Sequence, residues 1–161
     1  MAEKTTSEMY PLDRAKIIKK SISSYVAYGI LAAVILIPSY LFLFAISPMI
    51  CYILSTIFLA IFIIIPIYQT AYYNKYFYDV RNDFLVIRKG VVMVRETTLN
   101  YDKLQDVYMD QDILDRIFGL WDVHVSTATN MSGAEAHIDG VKHDNANAIK
   151  ELILAKIRKA K

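Results

Sequence analysis

Residues 25–73 read YVAYGILAAVILIPSYLFLFAISPMICYILSTIFLAIFIIIPIYQTAYY, 49 residues without one Asp, Glu, Lys, Arg or His. A hydrocarbon core about 30 Å thick is crossed by roughly 20 apolar residues of helix, so the stretch holds two spans and almost no connector. Lipid offers no partner to backbone N–H and C=O groups, which restricts each span to helix. The pattern predicts one helix from Tyr25 to Ile46 and another from Met49 to Tyr72, meeting at Ser47-Pro48. Pro48 suits the first turn of the second helix, where a missing N–H removes no hydrogen bond. So short a link makes the pair an antiparallel hairpin. Pro38 and Pro66 fall inside the spans and predict a kink or an opened hydrogen bond at each. A soluble core enclosing both helices would need more protein than the rest of the chain supplies.

The charges on either side orient the hairpin. Arg14, Lys16, Lys19 and Lys20 precede the first span, Lys75 and Arg81 follow the second, and the connector carries none. Cationic flanks remain cytoplasmic, so the expectation is a two-pass protein of the cell membrane with both termini inside. Tyr25, Tyr28, Tyr68, Tyr72, Tyr73, Tyr76 and Tyr78 gather at the same end, as an aromatic belt does. A long basic region, an overlong apolar segment and no small-residue cleavage site argue against a removable signal peptide. The lone Cys51 lies in a span and builds no internal disulfide.

Residues 1–24 carry three acidic and five basic groups and read as a cytoplasmic arm, partly helical or mobile. Residues 25–73 form the hairpin, and residues 74–161 are long enough for one small cytoplasmic domain. That last segment carries 13 basic and 13 acidic residues. Such balance excludes the cationic excess of a nucleic-acid binder and of a polybasic lipid clamp. Its texture is mostly strand. Tyr76–Arg81 and Phe84–Lys89 flank Asn82-Asp83, a two-residue hairpin turn. After Gly90, the β-branched run Val91–Leu99 reads as a third strand, and Leu104–Met109 alternates as a half-buried fourth. Asp112 is placed to cap a short helix whose apolar face is Ile113, Leu114, Ile117 and Phe118, with Gly119 as a left-handed stop. Trp121–Thr127 returns to alternation, Asn130–Gly133 is a turn, and Ala134–Val141 is a further strand. Asn145–Lys159 closes the chain as an amphipathic helix with Ile149, Leu152, Ile153 and Ile157 at helical spacing.

Read in order, Tyr78-Asp79-Val80, Leu85–Gly90, Arg95–Leu99, Lys103–Val107, Gln111 with Leu114, Arg116–Leu120 and Val123–Ala128 form a familiar succession. It resembles the bacterial pleckstrin-homology-like domains (bPH2) once grouped as a domain of unknown function and found after paired transmembrane helices. The resemblance covers about residues 76–157, and Leu104–Thr127 is its most specific part. It implies an α+β membrane protein: a two-helix transmembrane hairpin, then a PH-like β-sandwich or partial barrel of two roughly orthogonal antiparallel sheets with a C-terminal capping helix. It implies no catalytic residue and no cofactor, and points to a membrane-anchored interaction or scaffold module.

The residues themselves offer little for catalysis. Asp106, Asp110, Asp112 and Asp115 have neither the spacing nor the central Gly of a calcium loop. His124, His137 and His143, with Asp139 and Asp144, contain no close ligand pair, and alternation turns His124 outward. Ser126 and His124 share a strand face without forming an acid–base chain. The five glycines never approach a phosphate loop. Phe118 and Trp121 fall where periodicity asks for core. No metal, cofactor or catalytic site is therefore expected. Two surfaces remain. Lys16, Lys19, Lys20, Arg88, Lys89 and Arg95 are candidate contacts for anionic headgroups. The strand through Leu104, Asp106, Tyr108 and Asp110 is a candidate edge for self-association. The expected partners are the bilayer and either a second copy or another membrane protein. The competing functions are anionic-lipid sensing and an accessory role beside a membrane enzyme or transporter; no intramembrane ionisable residue supports an ion path.

Overall fold

The computed structural model describes residues 5–127 and 136–160. Two units divide the chain, Ile17–Ala71 on one side and Met1–Lys16 with Tyr72–Lys161 on the other. The turn expected at Asn130–Gly133 lies outside the described residues.

The first unit is the helical hairpin. Helix α2 (Ala15–Pro38) runs into a π-helical turn (Ser39–Leu43), and helix α3 (Pro48–Lys75) returns. The two apolar stretches, Ala15–Phe42 and Pro48–Lys75, number 28 residues each. At 1.5 Å per residue each is about 42 Å long, enough to cross a bilayer core. Pro38 stands at the point where α2 widens, because its ring leaves the preceding turn without an N–H donor. Just beyond, the Ser39 hydroxyl donates to the Ile35 carbonyl at 2.6 Å. Pro66 is accommodated within α3, where Thr70 Oγ1 donates to the Pro66 carbonyl at 2.8 Å. Tyrosines join the helices: Tyr28 donates to the Phe58 carbonyl at 2.6 Å, and the Tyr25 and Phe62 rings stack at 4.4 Å. The sulfur of Cys51 is buried against the Ser39 carbonyl at 3.4 Å.

The second unit is built from two three-stranded antiparallel sheets and a closing helix. Strands β1 (Phe77–Val80), β2 (Phe84–Lys89) and β3 (Arg95–Asn100) form the first meander. Strands β4 (Leu104–Asp110), β5 (Leu120–Thr127) and β6 (Ala136–Lys142) form the second. Tyr78, Leu85 and Ile87 from the first sheet share one apolar core with Val123, Val125 and Ile138 from the second. Helix α5 (His143–Ala160) closes that core with Ile149, Ile153 and Ile157 of the predicted stripe, while Leu152 is half-buried. Helix α4 (Ile113–Phe118) links the second sheet's first two strands. Asp112 caps it by accepting from the Asp115 N–H, and Gly119 ends it at φ 65°.

Two local readings are corrected, and the partly helical N-terminal arm gains a partner. Val91–Val94 is not strand: β2 and β3 pair only as far as Lys89↔Arg95, and Gly90, at φ 117°, turns the chain into a loop. Ile113 and Ile117 face outward, which leaves Leu114 and Phe118 as the half-buried apolar side chains of α4. The stretch before α2 docks onto the domain. There helix α1 (Thr6–Met9) lies on β1. The Thr6 hydroxyl and N–H donate to Asp79 Oδ1, Tyr73 donates to the Leu12 carbonyl, Tyr78 donates to the Tyr10 carbonyl, and the Asp13 N–H donates to the Gly140 carbonyl.

Candidate functional site

The six cations named from sequence part ways in the fold. Lys16 is 2% exposed. Its ammonium donates at 2.9 Å to both the carboxylate and the carbonyl of Asp139, and lies 3.7 Å from the centre of the Tyr76 ring. A β-bulge creates this arrangement. Trp121 pairs with Val141 and Val123 with Ile138, so Asp139 and Gly140 together oppose Asp122. Gly140 adopts φ 80°, and a Cβ there would sit 2.7–2.9 Å from the Lys16 side chain. Glycine is required both by the conformation and by the lysine passing over it. Lys89 reaches the same carboxylate at 3.9 Å and stands over Tyr76. Burial, reinforced by the Asp139 charge, holds the Tyr76 phenol well above its ordinary pKa, and that phenol donates to the His137 carbonyl at 3.0 Å. Lys16 therefore leaves the headgroup set, because its charge is committed inside the domain. Lys19 is likewise buried, and Lys20 is half-buried.

Arg88 and Arg95 remain exposed, and Lys89 partly so. Arg88 covers the Phe77 ring and stands 3.9 Å from Glu96. Lys89 and Arg95 are direct cross-strand partners, two like charges at the loop end of the β2–β3 hairpin.

The second sheet places β4 at an edge, paired among the described residues only with β5. Leu104 is buried and belongs to the core, whereas Asp106, Tyr108 and Asp110 are exposed. Tyr108 stacks on His124 at 5.0 Å, and His124 stacks on His137 at 5.4 Å, giving a ladder of rings across the three strands. Beside it Asp110 and Asp122 are opposed in register, and their carboxylates lie with the His124 ring within 4.8 Å of one another. Sequence spacing alone does not bring these three together, because the register of β4 on β5 decides it. Hydrogen bonds within the protein engage the group: His124 Nε2 with Asp110 Oδ1 at 3.1 Å, and the Gly140 N–H with Asp122 Oδ1 at 2.7 Å.

A family model described as a bacterial PH domain matches residues 25–157, which takes in α2 from Tyr25 onward, all of α3 and the strands and closing helix as far as Ile157. No curated protein and no solved structure gives a significant match.

Proposed function

The chain belongs to the bacterial PH domain family, and from that premise we propose that it is a non-catalytic membrane module. Its two long helices span the membrane with both termini cytoplasmic, and its PH-like domain assembles on that face with a second copy or another membrane protein. The observation that carries this reading is the β4 edge. A strand that pairs on one side only among the described residues, bearing exposed Asp106, Tyr108 and Asp110, would suit strand addition. The test is the native mass of the full chain in mild detergent, with and without Asp110→Lys and Tyr108→Pro. A particle larger than one chain that dissociates in both variants supports the proposal. Assembly that survives both sinks the edge as its basis. A bare monomer carrying no second protein sinks assembly altogether.

The cross-strand pair Lys89↔Arg95, next to exposed Arg88, favours anionic-lipid sensing as a second reading. Cations near an anionic leaflet gain about 1 kcal/mol each. The full chain would then retain anionic lipid at low salt and lose it at high salt. Equal retention of neutral lipid removes this reading.

A further inference from the structure

Between β2 and β3 the chain exposes an apolar tip. Val92 and Met93 are 88% and 87% exposed, and Val94 follows at 57%. Gly90 gives the loop its shape. At φ 117° it lets the chain fold back until a Cβ on residue 90 would stand 1.9 Å from the Met93 carbonyl oxygen. The tip is thus held at the end of a tight turn rather than left to collapse on the sheet.

Two further observations say what covers it. Lys75, the last residue of α3, donates to the Val91 carbonyl at 3.3 Å, which ties the loop to the end of a helix long enough to span a bilayer. Cations flank the loop: Lys75 is bonded to it, Arg88 and Lys89 precede it on one strand, and Arg95 follows it on the other. Lys89 also reaches the Asp139 carboxylate at 3.9 Å, so the exposed cations on the strands beside the tip are Arg88 and Arg95. Apolar side chains ahead of a collar of Lys and Arg are suited to the boundary between headgroups and acyl chains.

We propose that Val92, Met93 and Val94 form a finger seated in the interface of the same bilayer that α3 spans. The collar meets anionic headgroups, and the finger holds the domain against the membrane. The proposal rests on the membrane-spanning reading, so the experiment tests the two separately. With Cys51→Ala as background, single cysteines are placed at Met93, at Leu59 within α3 and at the exposed Glu151 of α5. Each is labelled with an environment-sensitive dye in the full chain, reconstituted into vesicles of mixed phosphatidylcholine and phosphatidylglycerol. Nitroxide lipids then probe depth.

The expected result is a blue-shifted Met93 label quenched by shallow nitroxides, a Leu59 label quenched by deep ones, and a Glu151 label insensitive to both. Adding Val92→Asp with Val94→Asp should return the Met93 label to the emission of Glu151; because both residues are exposed, the domain should stay folded. A Met93 label behaving like Glu151 while Leu59 is quenched overturns the finger and leaves the span standing. A Met93 label that is blue-shifted yet unquenched means protein covers the tip, which also overturns it. A Leu59 label in water removes the spanning reading and the finger with it.

Discussion

Lys16 occupies the second position of a helix long enough to cross a membrane, yet its charge is committed to Asp139 inside the domain. Both side chains are almost fully buried, so removing either strands an uncompensated charge, at a cost of about 3–5 kcal/mol. Lys16→Ala and Asp139→Ala should each lower the thermal midpoint in detergent by that equivalent. Lys16→Met combined with Asp139→Leu should recover most of the loss, because an apolar pair of similar volume replaces both charges. Single variants that melt like the parent would mean the pair contributes nothing. Tyrosines give the alkaline limit. Burial raises the phenols of Tyr76, Tyr78 and Tyr101 above their ordinary value, with smaller contributions from Asp139, Tyr10 and the Asp79 and Asp83 pair respectively. Below about pH 10 both folded and unfolded chains hold these protons, and stability does not depend on them. Above it the unfolded chain releases protons that the folded chain retains, so stability falls as pH rises. The melting midpoint should therefore be insensitive to these groups through neutral pH and decline beyond about pH 10. Phenol absorbance showing all twelve tyrosines ionising near their ordinary pKa with the fold intact would contradict this.

At the scale of elements, two glycines separate conformational strain from steric clash. Gly90 and Gly119 both have positive φ, but a Cβ at Gly119 meets nothing within 4 Å whereas one at Gly90 strikes the Met93 carbonyl. Gly119→Ala should cost about 1–2 kcal/mol for the left-handed conformation alone. Gly90→Ala should cost more, and thermal melts of the two variants that rank them the other way would count against the loop geometry. The same elements show what was legible. The β1–β2 hairpin, the cap and stop of α4 and the stripe of α5 rest on local signals: a turn pair, a capping Asp, a terminal Gly and helical spacing. Val91–Val94 misled because β-branched residues suggest strand, although four consecutive apolar residues lack the alternation of a half-buried one. Ile113 and Ile117 misled because periodicity identifies a face without saying what lies against it. The docked N-terminal stretch did leave a signal, Thr5 followed by Glu8, whose carboxylate accepts from the Thr5 N–H at 3.0 Å. Its partners Asp79, Tyr73 and Gly140 are long-range, and one sequence does not register them.

For the whole molecule, the burial of lysines in the fold must be reconciled with the proposed topology. Of the four cations ahead of the first span, Lys16 and Lys19 are buried, which leaves Arg14 exposed and Lys20 half-buried. The conflict disappears in time. In the proposed topology, orientation would be set as the helices insert, before residues 76–142 fold and bury Lys16. On that proposal all four cations would count toward topology, while only those left accessible would count toward a membrane contact of the folded domain. Two separable outcomes follow for the proposed orientation. In a Cys51→Ala background, cysteines at Ser7 and Glu151 should react with an impermeant maleimide only after lysis, and one at Ser47 should react on intact cells. Lys16→Met should lower stability yet leave that pattern unchanged, because Arg14, Lys19, Lys20, Lys75 and Arg81 still mark the inner side. Replacing Arg14, Lys16, Lys19 and Lys20 together by Ser should yield a mixed population, with part of the Ser47 label lost from intact cells. Labelling of Glu151 on intact cells in the parent chain would refute the topology, and an unmixed pattern in the fourfold variant would assign orientation to Lys75 and Arg81 alone.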